Sequence, residues 1–336
     1  MKIFVHEFIT GGGLTEEELP SSLAREGALM LEAILQDFLL LPQHQILLSY
    51  DERLPLTLPV HQKVPVVKKD TYWDTFLSLV QATDATLLIA PETDGILARL
   101  ARLVEKEGKL LLGSTAESIE WTGDKFLTYK RFEALGIPFP KTQEANFREN
   151  LLEKIEAWGN LPLILKPTDG VGCSGVYLLR RIEDLPSTLM QLAQETHHNR
   201  FLIQEYISGI HASVSVISNG IQAVPLTLNA QFIEESHRLI YKGGLVPLHH
   251  PLKQEVFRLV RDLPTWIEGL QGYLGIDLIL TEDRPVFIEI NPRLTTSYIG
   301  IRQIIPFNLA EAILRAVVKK ELPGEIEVRG QVKFTL

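Results

Sequence analysis

Two carboxylates, Asp277 and Glu289, flank a polar tetrapeptide, Thr281-Glu282-Asp283-Arg284, that separates two apolar runs and reads as a hairpin turn. Both are equidistant from Asp283, so a hairpin centred there sets them face to face, and Asn291, two residues beyond Glu289, shares their face. Facing carboxylates repel. A hard cation between them removes the conflict, and Mg²⁺ is typically held by one or two carboxylates plus substrate phosphates. Asn291 would add a neutral oxygen ligand. The plainer alternative is a solvated sheet face carrying a few acids. Leu278, Ile279, Leu280, Val286, Phe287, Ile288 and Ile290 argue against it, because a sheet this apolar is too buried to leave acids unpaired.

Cations that could meet a phosphate lie upstream. Lys166 ends the apolar run Leu163-Ile164-Leu165 and leads through Pro167 into a loop, Asp169 to Gly175, that contains Gly172, Cys173, Ser174 and Gly175. Glycines let successive backbone N–H groups turn toward an anion, although a tight hairpin is the default meaning of such a loop. Lys125, after Gly123-Asp124, opens a helix and could present its ammonium at the same place; taken singly it reads as a solvated helix lysine. Cys173 reads as a small filler rather than a nucleophile, since no base is placed beside it. No G-x-x-x-x-G-K-[ST] occurs, and Gly11-Gly12-Gly13 is not the dinucleotide fingerprint, which argues against NAD.

The elements that must position these groups fall into three sections. Strand-like runs at Ile3–Phe8, Gln45–Ser49, Val64–Val67, Ala85–Ala90 and Lys109–Leu112 alternate with helical patterns at Leu23–Leu40 and Thr93–Glu107. That alternation predicts an open parallel α/β sheet with ligands at the carboxyl ends of its strands, near Glu7, Gly11–Gly13 and Glu92. From Asp124 the pattern changes to a capped helix ending at Gly136, strands at Leu163–Lys166, Val176–Leu179 and Phe201–Tyr206, and a helix over Ile182–Glu195. The last section has strands at His211–Ser218, Ala223–Leu228, Asp277–Leu280 and Val286–Asn291, helices near Lys253–Tyr273 and Pro306–Lys319, and a closing strand after Pro323.

Totals narrow the function class. The 336 residues are 45% hydrophobic and 22% charged, a globular composition with room for two or three subdomains. A net charge of −9 offers no basic excess for nucleic acid, without excluding small anions. Cys173 is the only cysteine, so no intramolecular disulfide forms, which suits a cytoplasmic location. The start reads as a strand rather than a signal peptide, and no run approaches the length of a membrane span.

Gly123-Asp124-Lys125, Ile164-Leu165-Lys166-Pro167, the loop Gly170–Gly175, Gln204-Glu205-Tyr206-Ile207, Gly275-Ile276-Asp277 and Glu289-Ile290-Asn291-Pro292-Arg293 together resemble the ATP-grasp superfamily, in the family's order, across residues 115 to 300. The resemblance implies an α/β fold of three parts. These are an N-terminal open parallel α/β domain (1–113), a small α+β lid with the glycine loop (114–206) and a C-terminal mixed-sheet domain (207–336), with ATP between the last two. Lys125 and Lys166 would contact ATP phosphates, and Gln204, Glu205, Tyr206 and Ile207 would line the adenine. Asp277, Glu289 and Asn291 would hold Mg²⁺, with Mn²⁺ as an alternative, and Arg293 would stabilise the transferring phosphate or the tetrahedral adduct. One departure is His211, where the family usually has an acid that bonds the ribose. Lys242, in Tyr241-Lys242-Gly243-Gly244, is either a further phosphate or carboxylate contact or a turn lysine.

More narrowly, Val5-His6-Glu7-Phe8-Ile9-Thr10-Gly11-Gly12-Gly13, Tyr241-Lys242-Gly243-Gly244 and Asn291-Pro292-Arg293-Leu294-Thr295-Thr296-Ser297 are similar to the tyramine–glutamate ligase group, ATP-grasp enzymes of methanofuran-type cofactor biosynthesis. This implies a carboxylate–amine ligase that phosphorylates glutamate's γ-carboxylate and joins it to tyramine or a related amine, with Glu7 or Glu92 as acceptor of the amine proton. Small-molecule substrates, no nucleic acid, no membrane and a homodimer are the expected associations. A ligase for another amino acid or amine, a phosphotransferase of the same fold and a nucleotide-binding regulator without turnover stay open. His249-His250 reads as a loop cap, and His197-His198 as a solvated helix end.

Overall fold

The structure, a computed structural model, describes residues 1–15, 17–54, 60–67 and 69–336. Strand and helix alternate through its first part: β1 (Lys2–Glu7), α1 (Ser21–Leu39), β2 (Gln45–Asp51), β3 (Gln62–Val66), α2 (Lys69–Gln81), β4 (Ala85–Ile89), α3 (Ile96–Lys106) and β5 (Leu110–Leu111). The strands form one parallel sheet in the order β3-β2-β1-β4-β5. Parallel strands are buried on both faces, and β1 shows how alternation serves both. Ile3 and Val5 pack against Met30, Ile34 and Phe38 of α1. Phe4 points the other way, into Phe76 and Val80 of α2 and Leu100 and Val104 of α3.

Next come α4 (Ala116–Gly123), α5 (Lys125–Leu135), β6 (Thr142–Asn146), α6 (Leu151–Glu156), β7 (Leu163–Pro167), β8 (Tyr177–Leu179), α7 (Leu185–Gln194) and β9 (Arg200–Glu205). Asp124 caps α5 by accepting from the Phe126 and Leu127 N–H groups, and Gly136 ends it at φ 67, a left-handed position open to glycine. The strands make a separate sheet, β6-β9-β7-β8, with its own core around Leu165, Leu179 and Phe201. Helix α5 packs elsewhere: Phe132 meets Trp266 and Phe287 in the C-terminal core. By packing, α5 joins the C-terminal core, and the separate sheet takes up the chain from Thr142.

The remaining elements are β10 (Ile210–Asn219), β11 (Ala223–Glu235), β12 (Leu239–Val246), α8 (Lys253–Val260), α9 (Leu263–Trp266), β13 (Gln271–Leu280), β14 (Pro285–Asn291), α10 (Ser297–Ile304), α11 (Leu309–Leu314) and β15 (Val332–Thr335). Their sheet, β14-β13-β10-β11-β12-β15, is antiparallel at every pairing, where a mixed sheet was expected. The helical region expected near Lys253–Tyr273 is two short helices, the second starting at Leu263 with Pro264 in its first turn, and Gln271–Tyr273 already belong to β13. Tyr241-Lys242-Gly243-Gly244 lies within β12 and not in a turn. Helices α10 and α11 return to the first domain, so that Tyr298, Ile301 and Ile313 share a core with Ile34 and Phe38. Asp37 of α1 accepts from Tyr298 Oη at 2.5 Å and from Arg302 Nη2 at 2.8 Å across that junction. Among the described residues no helix is long and apolar enough to cross a membrane.

The β13–β14 hairpin carries a β-bulge. Next to the turn Leu280 pairs with Pro285 and Leu278 with Phe287, but one step further Asp277 pairs with Glu289. Ile288 is the extra residue. A regular ladder centred between Glu282 and Asp283 would set Asp277 opposite Ile288. The carboxylates face each other because the bulge moves the pairing on by one.

Candidate active site

The facing carboxylates are held from three sides. Asp277 Oδ1 accepts from Gln231 Nε2 at 2.9 Å, and its Oδ2 accepts from Asn291 Nδ2 at 3.3 Å. Glu289 Oε2 lies 3.0 Å from Lys125 Nζ, which also donates to the Gly170 carbonyl at 2.8 Å. Lys125 is 8% exposed, and its backbone N–H is pinned to the Thr168 carbonyl, so the helix start, the glycine loop and the hairpin meet at one ammonium. The solvated-lysine reading of Lys125 does not hold. Its neighbours are set by tertiary packing that spacing along α5 does not report.

The charges here are tightly interdependent. Unit charges about 4–5 Å apart repel by roughly 3–4 kcal/mol at an effective dielectric near 20, so two buried carboxylates cannot both ionise freely. Burial, then the charge of Glu289, hold the Asp277 carboxyl well above the usual carboxylate range. Burial would raise Glu289 as well, but Lys125 and Lys166 outweigh it and keep that carboxyl below its ordinary value. Lys166 is 3% exposed. Burial draws its ammonium down to about 8, with Glu289 opposing the shift and Lys125 assisting it. Two carboxylates and an amide, all hard oxygen donors, fit a divalent cation of the magnesium type, and the raised Asp277 carboxyl marks the place where positive charge is lacking.

One cleft takes in Lys125, Lys166, the glycine loop, the end of β9 and the metal-type ligands. Gly170, Gly172, Cys173 and Gly175 all sit at positive φ, the conformation that turns a loop's N–H groups outward. Burial pushes the Cys173 thiol up to about 12, so it stays protonated and serves as filler. Gln204 is fixed by donating to Thr142 Oγ1 at 2.7 Å, and Glu205 accepts from the Lys141 N–H at 3.2 Å. Ile207 completes that wall. His211 lies 2.7 Å from Glu235 Oε1, and Tyr206 Oη donates to Glu235 Oε2 at 2.9 Å. Gln231 and Glu235 both lie on the second half of β11, beyond Leu228, where the apolar run that announced the strand has ended.

At the opposite end of the cleft Arg293, half-buried, is bound through Nε and Nη2 to the buried Glu92 carboxylate at 3.0 and 3.1 Å. Glu26, near the start of α1, lines the cleft beside it. The expected N-terminal contacts are otherwise arranged differently. Glu7 is buried beneath α1 and spent on its own turn, accepting from Thr10 N and Thr10 Oγ1 at 2.6 Å each. Gly11, Gly12 and Gly13 serve packing: a Cβ on Gly12, at φ 95, would meet Val66 Cβ at 2.6 Å. None of these four lines the cleft, and neither does Lys242, which pairs with Glu234 at 3.2 Å on the exposed side of β12. His197 and His198 are exposed just past the end of α7, as expected, and each also meets an acid. His197 Nδ1 lies 3.0 Å from Asp94, and His198 Nε2 lies 3.4 Å from Asp169 at the base of the glycine loop. Asp169 also accepts from the Asp94 N–H at 2.8 Å, closing a polar clasp between the lid and the first domain. His250 Nδ1 accepts from the Leu252 N–H at 3.2 Å, as a loop cap does.

Known proteins share this arrangement. A profile of the ATP-grasp domain matches residues 122–297, and one of the pre ATP-grasp 3 domain matches residues 44–119. The tyramine–L-glutamate ligase of Methanocaldococcus fervens is 29% identical over 328 residues, 97% of either chain. An ATP-grasp superfamily protein from Archaeoglobus fulgidus superposes with a TM-score of 0.71 at 26% identity, over 98% of this chain and 91% of that one. The biotin carboxylase domain of the Hydrogenobacter thermophilus 2-oxoglutarate carboxylase, solved with MgADP and bicarbonate, gives 0.72 over 98% and 73% of the two chains. At 16% identity that likeness is one of fold.

Proposed function

The chain belongs to the ATP-grasp family, and on that premise we propose that it joins the γ-carboxylate of glutamate to tyramine or a related amine. It is an ATP-dependent ligase forming a C–N bond, and the specific pair is the reading that methanofuran-type cofactor biosynthesis would require. The observation that carries the proposal is the single cleft in which two buried lysines, a facing carboxylate pair and a clamped arginine converge. Similarity to a tyramine–glutamate ligase over nearly the whole of both chains supports the choice of substrates.

The chemistry follows from the charges. A carboxylate is a poor acyl donor, so ATP must first phosphorylate it. In-line phosphoryl transfer asks a protein for positioning and charge stabilisation rather than covalent help. Lys125 and Lys166 would lie against the transferring phosphate. Asp277, Glu289 and Asn291 would hold Mg²⁺, which when bound neutralises phosphate charge. The same role falls to Mn²⁺ if it substitutes. With polyphosphate in place, Lys166 would gain anionic charge that offsets the burial drawing its ammonium down. Arg293, immobilised by Glu92, would present its remaining N–H groups to the acyl phosphate and to the tetrahedral adduct that follows. The lid, clasped through Asp94, Asp169 and His198, would keep water from the acyl phosphate.

A coupled ADP-release assay, crossing glutamate and other amino acids with a panel of amines, tests the reading. Release should require Mg²⁺, a carboxylate and an amine together, with glutamate and tyramine the best pair. ADP release with carboxylate alone would instead indicate a phosphotransferase, and nucleotide binding without turnover on any pair a regulator.

A further inference from the structure

Five acidic residues line the cleft, and four are already engaged. Asp277 accepts from Gln231 and Asn291, Glu289 pairs with Lys125, Asp169 accepts from the Asp94 N–H, and Glu205 accepts from the Lys141 N–H. The fifth is Glu26, whose carboxylate makes no hydrogen bond or ion pair among the described residues. Arg293, whose charge reaches it, is bound bidentately by Glu92 and makes no ion pair with it. Glu26 is only partly exposed, and burial holds its carboxyl above the ordinary range despite Arg293. A carboxylate withdrawn from water without a partner is costly, and at the mouth of a binding cleft it marks a place for a cation from outside the chain.

The fold explains why it stands there. Helix α1 follows β1, and its first turns lie against the carboxyl end of that strand so closely that a Cβ on Gly27 would meet Glu7 Cδ at 2.6 Å. This is the edge of a parallel sheet where ligands bind, and Gly27 lets the helix sit low enough to bring the preceding residue into the cleft. Near Glu26, and feeling its charge, are Arg293 and the Tyr241 ring, whose hydroxyl is held 2.9 Å from Thr296 Oγ1. An acid, an oxyanion-binding guanidinium and an aromatic face are what an aromatic alkylammonium needs when it attacks an acyl phosphate.

Resting on the ligase reading above, we infer that Glu26 binds the ammonium of the incoming amine and accepts its proton. One N–H proton passes from R–NH₃⁺ to the Glu26 carboxylate, and the freed lone pair attacks the acyl carbon of the acyl phosphate. The C–N bond forms, the C–O bond to phosphate breaks, and the second N–H proton leaves with phosphate. Glu26 thereby takes the role the sequence suggested for Glu7 or Glu92, whose oxygens are occupied by Thr10 and Arg293. General-base assistance of this kind contributes about 10²–10⁴-fold.

Hydroxylamine, largely uncharged at neutral pH, separates the two half-reactions. It captures an acyl phosphate as the hydroxamate and needs neither ammonium recognition nor loss of a proton before attack. With ATP, Mg²⁺ and L-glutamate, Glu26→Gln should form hydroxamate within about threefold of the unaltered enzyme. With tyramine in place of hydroxylamine, its amide formation should fall by about 100-fold or more, and the KM for the amine should rise while that for glutamate holds. Glu26→Asp, which keeps the charge at a shorter reach, should recover part of the amide rate. Equal losses of hydroxamate and amide, or an Asp variant no better than Gln, would overturn the assignment. Absence of hydroxamate from the unaltered enzyme with every carboxylate tried would remove the ligase reading and this inference with it.

Discussion

The two ends of the cleft are built on different electrostatic plans. At the end proposed for phosphate each side chain is held by another: Lys125 pairs with Glu289, Asp277 accepts from two side-chain amides, and Lys166 feels the Glu289 charge, which leaves room only for a cation beside Asp277. At the acceptor end Glu92 and Arg293 answer each other, and Glu26 is left over. The first plan suits a ligand common to a whole family, because a site whose side chains already hold one another is rigid and ready before the ligand arrives. The second suits a ligand peculiar to one member. Its charge is supplied only by the right partner, so an unbalanced group discriminates.

That contrast can be broken most severely at Glu289. Glu289→Gln leaves two buried lysines unanswered and removes a metal-type ligand; turnover should fall by about 10²–10³-fold and stability by about 3 kcal/mol. Asp277→Asn should also abolish turnover yet raise the melting temperature in metal-free buffer, because it ends the repulsion. The sign follows from linkage. The raised Asp277 carboxyl contributes stability at low pH that is lost as pH climbs from the ordinary carboxylate range to its raised value, and asparagine has no such loss. Melting shifts of the same sign in the two variants would show that the pair is not asymmetric.

Arg293→Lys tests the other end. A lysine keeps the charge but cannot satisfy both Glu92 oxygens in the fork geometry. Amide formation should drop by about 10–100-fold with ATP affinity unchanged; an equal loss of ATP affinity would mean the two ends are not separable. The smallest effect concerns Lys166. Its folded value, about 8, lies below the usual lysine range, so the free site holds a neutral amine above that pH. ATP should bind with proton uptake near pH 8 and lose about tenfold in affinity from pH 7 to 9. Calorimetry in two buffers of different ionisation enthalpy measures that uptake directly.

The meeting of Lys166, the glycine loop and the facing acids in one cleft could be read from the sequence because these groups are local punctuation: a lysine ending an apolar strand, glycines after it, acids on the arms of one hairpin. Gln231 and Glu235 escaped because β11 continues past Leu228 as Asn229-Ala230-Gln231-Phe232-Ile233-Glu234-Glu235, a mixed stretch with no steady strand period. Glu26 escaped for a related reason. On a helix with Arg25 and Glu32 nearby, nothing in its spacing separates a cleft acid from a solvated one. Glu7 and the Gly11–Gly13 run drew attention as a strand end should. Their work proved to be shaping the turn that seats α1. Helices α4 and α6 went unread because they are short, eight and six residues.

The bulge at Ile288 also acts as a mechanical joint. A strand normally sends neighbouring side chains to opposite faces, yet Ile288 and Glu289 both look into the cleft, while Phe287 and Ile290 on either side go to the core. A piece of the cleft's apolar wall and a ligand of the charged centre are thus welded into one dipeptide. Anything that tilts the wall must swing the carboxylate with it. A nucleotide seated poorly against Ile288 would therefore misplace its own phosphates, so the fit of one end is felt at the other without any moving part between them.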